Sequence, residues 1–320
     1  MTEYRFESFK DTAAFLVENH DTLRRYIKSN YCRVPIEHDP GSPVSRIKHQ
    51  AKTRPPTDLE RKLLLREFSP SDAPFMAANN LKARCRFARI WMKRCARFGK
   101  RRRAYLVTFA LDRFAMTLER AKLFSLRKLK SWVGEALRGF DYIANVEVAP
   151  YTNWQHYFLR GNIYHLHVHA IVFDGDEEEL DRRIKAVTMK HPSLLPGCPS
   201  GHYEQIKPDT LEHVLLYIMK APTFKYRAYA RRTKVLDKRT NSMIKVHAGR
   251  YGQLSDHANP GLQLLVRSIM VGWHLDRVIF AGGNARELLK EIRHEALSGL
   301  LRRMHSKRQS LFSGAFKAVR

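Results

Sequence analysis

Apolar residues recur at helical intervals in three stretches of the first hundred residues. The stretches 7–30, 57–67 and 73–98 each place these residues on one side, which predicts three helices with one buried face apiece. Between the first two lies "RVPIEHDPGSPVSRIKHQAKTRPPTD", which is polar and rich in proline and histidine. This composition indicates an exposed linker.

From residue 104 the pattern changes to short apolar runs that alternate with amphipathic ones. Strands are predicted at "AYLVTFAL", "YIANVEVAPY", "NIYHLHVHAIVF" and "HYEQIK", and helices at 111–139, "DGDEEELDRRIKAVTMK" and "PDTLEHVLLYIMKAP". The order is compatible with one mixed sheet that carries helices over 104–222. Residues 223–258 are predicted to be basic and irregular, and two further helices are expected at 261–274 and 284–307.

Three histidines occupy alternate positions of one predicted strand. Because successive side chains of a strand point to opposite faces, His165, His167 and His169 share a face with Ile171 and Phe173. The other face is apolar and suits a packed core. Three buried imidazoles are costly without partners, so the pattern favours a metal site over a solvent-facing polar strand.

The preceding strand supplies a carboxylate, Glu147, within the apolar stretch "ANVEVAP". If the two strands form a hairpin, Glu147 lies beside His167 or His169, whereas at an exposed edge it would simply face water. Two imidazoles and one carboxylate accept a divalent ion such as Mn²⁺ or Mg²⁺ and leave coordination positions open. Open positions are typical of a catalytic rather than a structural site.

A tyrosine in "EHVLLYIMKAP" stands among polar side chains of one helix face. Tyr217 follows His213 by four residues and precedes Lys220 by three, so the three share a face. A tyrosine bordering an apolar stripe often serves packing alone. As a nucleophile a phenol, with its unperturbed pKa of about 10, needs a nearby cation or an activated phosphate. Lys220 could lower that pKa or hold the phosphate.

The charge balance narrows the class of partner. The chain of 320 residues has 58 Lys and Arg against 31 Asp and Glu, a net charge of +27. Nucleic acid is the commonest partner that neutralises such a surplus. Eleven of the basic residues lie between Lys82 and Arg103, on a predicted helix whose apolar side includes Phe87 and Trp91. A helix of this kind either is solvated or lies along phosphates, and the overall charge favours the second.

Membrane and disulfide chemistry are not expected. The chain has no run of about 18 apolar residues and a mixed, acidic N-terminus, so neither a spanning helix nor a signal peptide is predicted. A cytoplasmic protein without a membrane partner is therefore expected. The cysteines lack CxxC spacing, which predicts reduced thiols and no zinc finger. They are Cys32, Cys85, Cys95 and Cys198.

A strand with His-hydrophobic-His, followed by a helix with Tyr-x-x-Lys, resembles the HUH endonucleases. The tyrosine follows the histidines, which is the order of replication initiators. "GFDYIANVEVAPYTN", "YHLHVHAIV" and "HYEQIKPDTLEHVLLYIMK" are similar to the small-plasmid rolling-circle Rep proteins, over about 104–230. The resemblance implies an α+β nicking domain at 101–235, with helices packed on an antiparallel HUH/RRM-like sheet. A helical, basic N-terminal region (1–100) and a basic, mainly helical C-terminal region (236–320) would flank it.

The resemblance also implies a reaction, the metal-dependent nicking and joining of single-stranded origin DNA. An ion held by His167, His169 and Glu147 would polarise the scissile phosphate. The Tyr217 phenolate would attack phosphorus, leaving a 5′-phosphotyrosine and a free 3′-hydroxyl, and Lys220 would stabilise the added charge. The 3′-hydroxyl would prime a host polymerase, and a host helicase is the further partner implied. The basic flanks, 82–103 and 225–250, would hold the DNA through phosphates.

Two departures from the family pattern concern the ligands and the terminating step. The family usually shows His-Pro-His-x-His, so His165 is an additional candidate ligand beside the matching pair. Some members carry a Glu four residues before the tyrosine, which activates water for the terminating cleavage. Here that position is His213, with Glu212 beside it. Either of them could serve, or termination could use a second tyrosine such as Tyr226 or Tyr229.

Two other functions fit the same residues. Another HUH enzyme, either a single-tyrosine transposase or a filamentous-phage replication protein, shares the chemistry and differs in its genetic setting. A basic nucleic-acid-binding protein without enzymatic activity, such as a repressor, would use the histidine strand for structure alone. In that protein metal would be irrelevant, and Tyr217→Phe would act normally.

Overall fold

The computed structural model describes residues 78, 81–100, 102–152, 162–220, 222–237 and 242–296. The helices predicted at 7–30 and 57–67 lie outside these ranges. Within them the chain is an α+β fold built on a mostly antiparallel sheet, which confirms this level of the predicted fold class.

One sheet of eight strands organises the described residues. The strands are Ala104–Phe109 (β1), Ala115–Met116 (β2), Asp141–Tyr151 (β3), Ile163–Phe173 (β4), Gly201–Ile206 (β5), Phe224–Asp237 (β6), Ser242–His257 (β7) and Ile279–Gly282 (β8). Their order is β5-β1-β4-β3-β6-β7, with β2 paired to β4 and β8 to β3. Neighbours are antiparallel except β3 and β6, which meet in parallel at Tyr151 and Tyr226.

Helices cover both faces of the sheet. They are Leu81–Gly99 (α1), Leu118–Lys122 (α2), Leu126–Ala136 (α3), Glu177–Lys190 (α4), Leu211–Ile218 (α5), Pro260–Ile269 (α6), Leu275–Val278 (α7) and 285–296 (α8). The N-caps of α4 and α6 follow the usual chemistry, because Asp176 and Asn259 each accept a backbone N–H from the first helical turn.

The two faces of β4 meet different helices. Its apolar face, with Val168 and Val172 fully buried, lies on the side where Trp132 of α3 contacts Phe109 of β1. The histidine face lies under α1 and α5, where Phe98 of α1 packs edge-on against Phe173. The exposed side of α1 carries basic residues, as its amphipathic pattern predicts. The alternation read from the sequence therefore separates the core from the candidate site.

The single helix predicted at 111–139 is wrong. The chain there forms a 3₁₀ turn, then β2, and then the two short helices α2 and α3. Ala115 of β2 pairs with His165 of β4, so sheet pairing overrides helical propensity at this point. Thr117 and Ser125 have extended backbone angles and stand as N-caps before α2 and α3, which splits the remainder.

The irregular structure predicted at 223–258 is also wrong, because β6 and β7 form a long antiparallel hairpin there. The strand β8 was not predicted either. The proposed division at residue 235 falls inside the hairpin, and both β7 and β8 belong to the same sheet as the strands before it. Helix α6 starts close to the predicted position, at Pro260, but ends earlier, at Ile269.

Two further observations bear on expectations from composition. Cys95 and Cys198 are free thiols, whereas Cys32 and the side chain of Cys85 lie outside the described part. Among the described helices, none combines the length and the apolar character needed to cross a membrane.

Candidate active site

The β3–β4 hairpin places the predicted carboxylate directly opposite a predicted histidine. Glu147 pairs with His167 in the strand register, so the antiparallel pairing is formed and Glu147 does not lie at an exposed edge. Glu147 Oε2 lies 3.2 Å from His167 Nε2 and 3.1 Å from His169 Nε2, and the two imidazole nitrogens are 3.1 Å apart. The three atoms form a nearly equilateral triangle, which could hold a metal ion.

The triangle fits a divalent ion by size and by donor type. An ion about 2.1–2.2 Å from three donors at mutual right angles separates those donors by about 3.0–3.1 Å. The observed separations match this spacing. Two nitrogens and one oxygen suit a borderline-hard ion, and three protein ligands leave positions for water or substrate. The identity of the ion stays a prediction, with Mn²⁺ or Mg²⁺ expected.

Groups behind the triangle orient two of its members. His169 Nδ1 lies 2.9 Å from Thr108 Oγ1 on β1. If Nε2 is to face an ion, the imidazole proton must sit on Nδ1, which then donates to Thr108. On the other side, the Tyr226 hydroxyl donates to Glu147 Oε1 at 3.3 Å. This bond occupies the second carboxylate oxygen and leaves Oε2 turned toward the histidines.

A buried lysine completes the charge balance of the cluster. Lys220 Nζ lies 3.0 Å from Glu147 Oε2 and donates to the Tyr226 hydroxyl at 3.4 Å. Burial alone would raise the pKa of Glu147, but Lys220 and His167 together hold it well below its usual range. Burial likewise would lower the pKa of Lys220, yet the carboxylate outweighs it and the pKa is raised. The pair is therefore ionised at neutral pH.

His165 does not join the triangle. Its Nε2 lies 3.1 Å from the backbone carbonyl oxygen of Leu111, and the imidazole is fully buried between strands. Burial, helped by repulsion from His167, lowers the pKa of His165 to about 3. The geometry gives this histidine a structural partner, so its place among the candidate ligands has no geometric support.

We predict that His165 makes the metal-free protein sensitive to acid. The unfolded chain binds a proton at this position near pH 6.5, whereas the folded chain excludes it until about pH 3. The free energy of unfolding is therefore unaffected by this group above about pH 6.5. As the pH falls from there toward 3, the group lowers it by about 1.4 kcal/mol per pH unit. Urea unfolding in EDTA between pH 7 and pH 5 should show a shallower pH slope for His165→Phe than for wild type.

The matched control for this slope is His202→Phe, on an exposed histidine of β5. It should leave the pH dependence of unfolding unchanged. An unaltered slope in His165→Phe would contradict a neutral, proton-excluding His165.

Tyr217 lies at the open side of the cluster. Its side chain is 42% exposed, and its ring centroid is 5.3 Å from that of His169. Lys220 Nζ lies 4.2 Å from the centroid of the Tyr217 ring, which places a positive charge beside the phenol. Side chains from two other elements hold the helix in place: Trp91 Nε1 donates to the carbonyl of Leu215 at 3.1 Å, and Asn145 Nδ2 donates to that of Ile218.

The four candidates for the terminating step differ in their exposure and in the side on which they lie. Glu212 and His213 are exposed on α5, and neither belongs to the ligand cluster. Tyr226 is buried, and burial together with Glu147 raises its pKa, which disfavours a nucleophilic role. Tyr229 is exposed, but it lies an odd number of residues from Tyr226 and so faces the other side of β6. Its ring lies over Gly252, where a Cβ would come within 2.6 Å of it.

We predict that Tyr226 tunes the cluster rather than reacting. Tyr226→Phe removes the hydroxyl that donates to Glu147 Oε1 and keeps the aromatic packing. The affinity for Mn²⁺, measured by calorimetry, should fall about ten-fold, as for other groups that orient a metal ligand. Tyr229→Phe, on the same strand but facing away, should bind Mn²⁺ like wild type. Equal affinities in the two variants would contradict this role.

Sequence reasoning missed the supporting groups although the sequence carries a signal for two of them. Thr108 is the polar residue inside "AYLVTFAL", and Asn145 stands inside "YIANVEVAPY". A hydrogen-bonding side chain within an apolar strand needs a partner, which points to a site or a clamp. No comparable signal pairs Tyr226 with Glu147, because they are 79 residues apart and meet only through the parallel β3–β6 contact.

Comparisons with protein-family models, with curated proteins and with solved structures found no match for this chain.

Proposed function

We propose that this chain is a metal-dependent enzyme that nicks and rejoins single-stranded DNA through a tyrosine link, of the HUH rolling-circle replication initiator kind. One observation carries the proposal. An exposed tyrosine, Tyr217, stands in ring contact with His169, a member of a buried His-His-Glu triangle that fits a divalent ion.

The proposed reaction uses the phenol of Tyr217 and the ammonium of Lys220. The Tyr217 oxygen attacks phosphorus, so that a tyrosine–phosphate ester forms as the bond from phosphorus to the 3′-oxygen breaks. The phenolic proton leaves to solvent and the 3′-oxygen becomes a hydroxyl. Lys220 Nζ lies 4.2 Å from the centroid of the phenol ring, where its charge would offset the negative charge that gathers on the phosphate during attack. Attack by the 3′-hydroxyl on the ester would reverse these steps and rejoin the strand.

The triangle supplies the remaining requirement, stabilisation of charge on the phosphate. Glu147, His167 and His169 would hold the ion, and a bound divalent ion would polarise the scissile phosphate as a Lewis acid. The chain's own part is to keep the donors in place through Thr108 and Tyr226. Release of the DNA by water would use His213 or Glu212, and their exposure on the same helix supports access to solvent.

The partner proposed is single-stranded origin DNA. The net charge of +27 and the exposed basic side of α1 support binding through phosphates. The free 3′-hydroxyl would serve a host polymerase, with a helicase opening the duplex ahead. A transposase or phage replication protein would differ in the DNA it recognises, and a search for the nicked sequence beside the gene separates these settings.

The test is a covalent adduct. Single-stranded DNA from the region around the gene, incubated with the protein and Mn²⁺, should give a protein–DNA species that survives boiling in detergent, and EDTA should prevent it. DNA binding without cleavage of any strand would overturn the proposal and favour the non-enzymatic DNA-binding protein.

A further inference from the structure

The β6–β7 hairpin continues well beyond Tyr226, the residue of β6 that contacts the candidate site. We call residues 227–237 and 242–250 the arm. Its base is fixed: Tyr226 pairs with Tyr151 of β3, and the backbone N–H of Tyr251 donates to the carbonyl of Pro196 at 3.1 Å. From Tyr226 to Leu236 there are ten residues of strand, which span about 33 Å. This is close to one turn of B-form DNA, about 34–36 Å.

The strands of the arm and its base are strongly basic. The hairpin carries two acidic residues, Asp237 and Asp256, within β6 and β7. Its basic residues in these strands are Lys225, Arg227, Arg231, Arg232, Lys234, Lys245 and Arg250. Two arms laid against each other would repel, whereas a polyanion would neutralise this surplus. A two-stranded ribbon also has the width that a groove of duplex DNA admits.

Two apolar pairs adjoin Asp237 and Ser242, which form the last described pair of the arm. Val235 pairs with Ile244, and Leu236 pairs with Met243. Because neighbouring pairs point to opposite faces, one apolar pair lies on each side of the ribbon. All four side chains are between 42% and 60% exposed. Exposing these four apolar side chains to water costs free energy, and because the two pairs lie on opposite faces, neither pair covers the other.

We propose that the arm binds double-stranded DNA, with its basic strands along the phosphates and one of the two apolar pairs near its end inserted between base pairs. Apolar side chains used in this way unstack a base step and unwind or bend the duplex. The inference needs neither the metal site nor Tyr217, so it stands apart from the proposed nicking activity. If both hold, the arm opens duplex DNA about one helical turn from Tyr226, beside the cluster that acts on the released strand.

The experiment measures unwinding in a background that cannot cleave. The full chain with Tyr217→Phe is mixed in EDTA with relaxed circular DNA and a topoisomerase that needs no divalent ion, and the linking number of the purified circles is then measured. This Tyr217→Phe protein, the parent in these comparisons, should leave the circles with a linking deficit that grows with the amount of protein bound. A second protein replaces the four apolar residues by threonine, which keeps strand propensity. Its substitutions are Val235→Thr, Leu236→Thr, Met243→Thr and Ile244→Thr.

The variant at the end of the arm should lose the linking deficit about five-fold or more while its affinity for duplex DNA changes less than about three-fold, because phosphate contacts supply most of the affinity. Changing Arg232, Lys234 and Lys245 to serine should instead reduce the salt dependence of binding, by up to about 0.9 in log–log slope per lost phosphate contact. Met189→Thr with Leu123→Thr, at exposed apolar positions outside the arm, should match the parent.

Three results would overturn the proposal. The parent could leave the linking number unchanged, or the variant at the end of the arm could unwind DNA as well as the parent. In the third result, the parent sediments as a dimer and the threonine variant as a monomer, which would mean that the four apolar side chains bind a second copy of the chain. Far-ultraviolet circular dichroism establishes that each variant retains its fold before these comparisons are made.

Discussion

Tyr217→Phe will abolish the covalent protein–DNA adduct and lower cleavage of single-stranded DNA by at least about 10³-fold, the scale of loss when a nucleophile is removed. The substitution deletes one hydroxyl from an exposed ring and leaves its contact with His169 available. The fold, DNA affinity and Mn²⁺ affinity should therefore stay close to those of wild type. Adduct formation is read on a denaturing gel, and binding is read by fluorescence anisotropy.

Tyr229→Phe is the matched control, because it removes a hydroxyl from a tyrosine of similar exposure that faces away from the cluster. It should form the adduct at the wild-type rate. Persistence of the adduct in Tyr217→Phe would show that another residue is the nucleophile, and mass spectrometry of the linked peptide would identify it.

His169→Ala will lower the affinity for Mn²⁺ by more than about 100-fold, since loss of a group that only orients a ligand already costs about 10–100-fold. His169 Nε2 lies 3.1 Å from both other donor atoms, and its Nδ1 is fixed by Thr108. Alanine leaves two donors, too few to compete with water for a hard ion. Calorimetric titration with Mn²⁺ measures the effect, and adduct formation should fall in parallel.

His202→Ala, on an exposed histidine of β5, which β1 separates from β4, should bind Mn²⁺ normally. Undiminished binding in His169→Ala would refute the triangle as the metal site. Glu147→Ala is a less suitable test, because it leaves the buried ammonium of Lys220 without its carboxylate. Removing one partner of a buried ion pair costs about 3–5 kcal/mol of stability, so lost binding could then reflect lost folding.

The faces of β4 could be predicted from the sequence, because polar and apolar residues alternate strictly along its histidine segment. The histidine strand is buried on one face and meets Glu147 on the other through the β3–β4 register, and both features follow from a period of two residues. Only the resemblance of its motif predicted that Tyr217 lies beside the cluster, because the sequence of α5 does not show which strand the helix packs on.

The failures have physical causes that differ between segments. At 111–139 a helical pattern was interrupted by pairing of Ala115 with His165, a contact between residues 50 positions apart. In β6 the alternation of Phe224, Tyr226 and Ala228 with basic residues was present in the sequence but was obscured by its charge density. The alternation that made His165 an additional candidate ligand does not show that its imidazole meets a backbone carbonyl, that of Leu111.

The two hydrogen bonds to α5 have a consequence for how fast the candidate site can act. They hold the carbonyls of Leu215 and Ile218, one on each side of Tyr217 along the helix. The backbone that carries the phenol is thereby fixed to α1 and to β3, and only the two side-chain torsions of the tyrosine are left to vary. Rotations of an exposed side chain take picoseconds to nanoseconds. Swinging the phenol toward a phosphate would then require no helix movement, so the rate would be set by DNA placement and bond making.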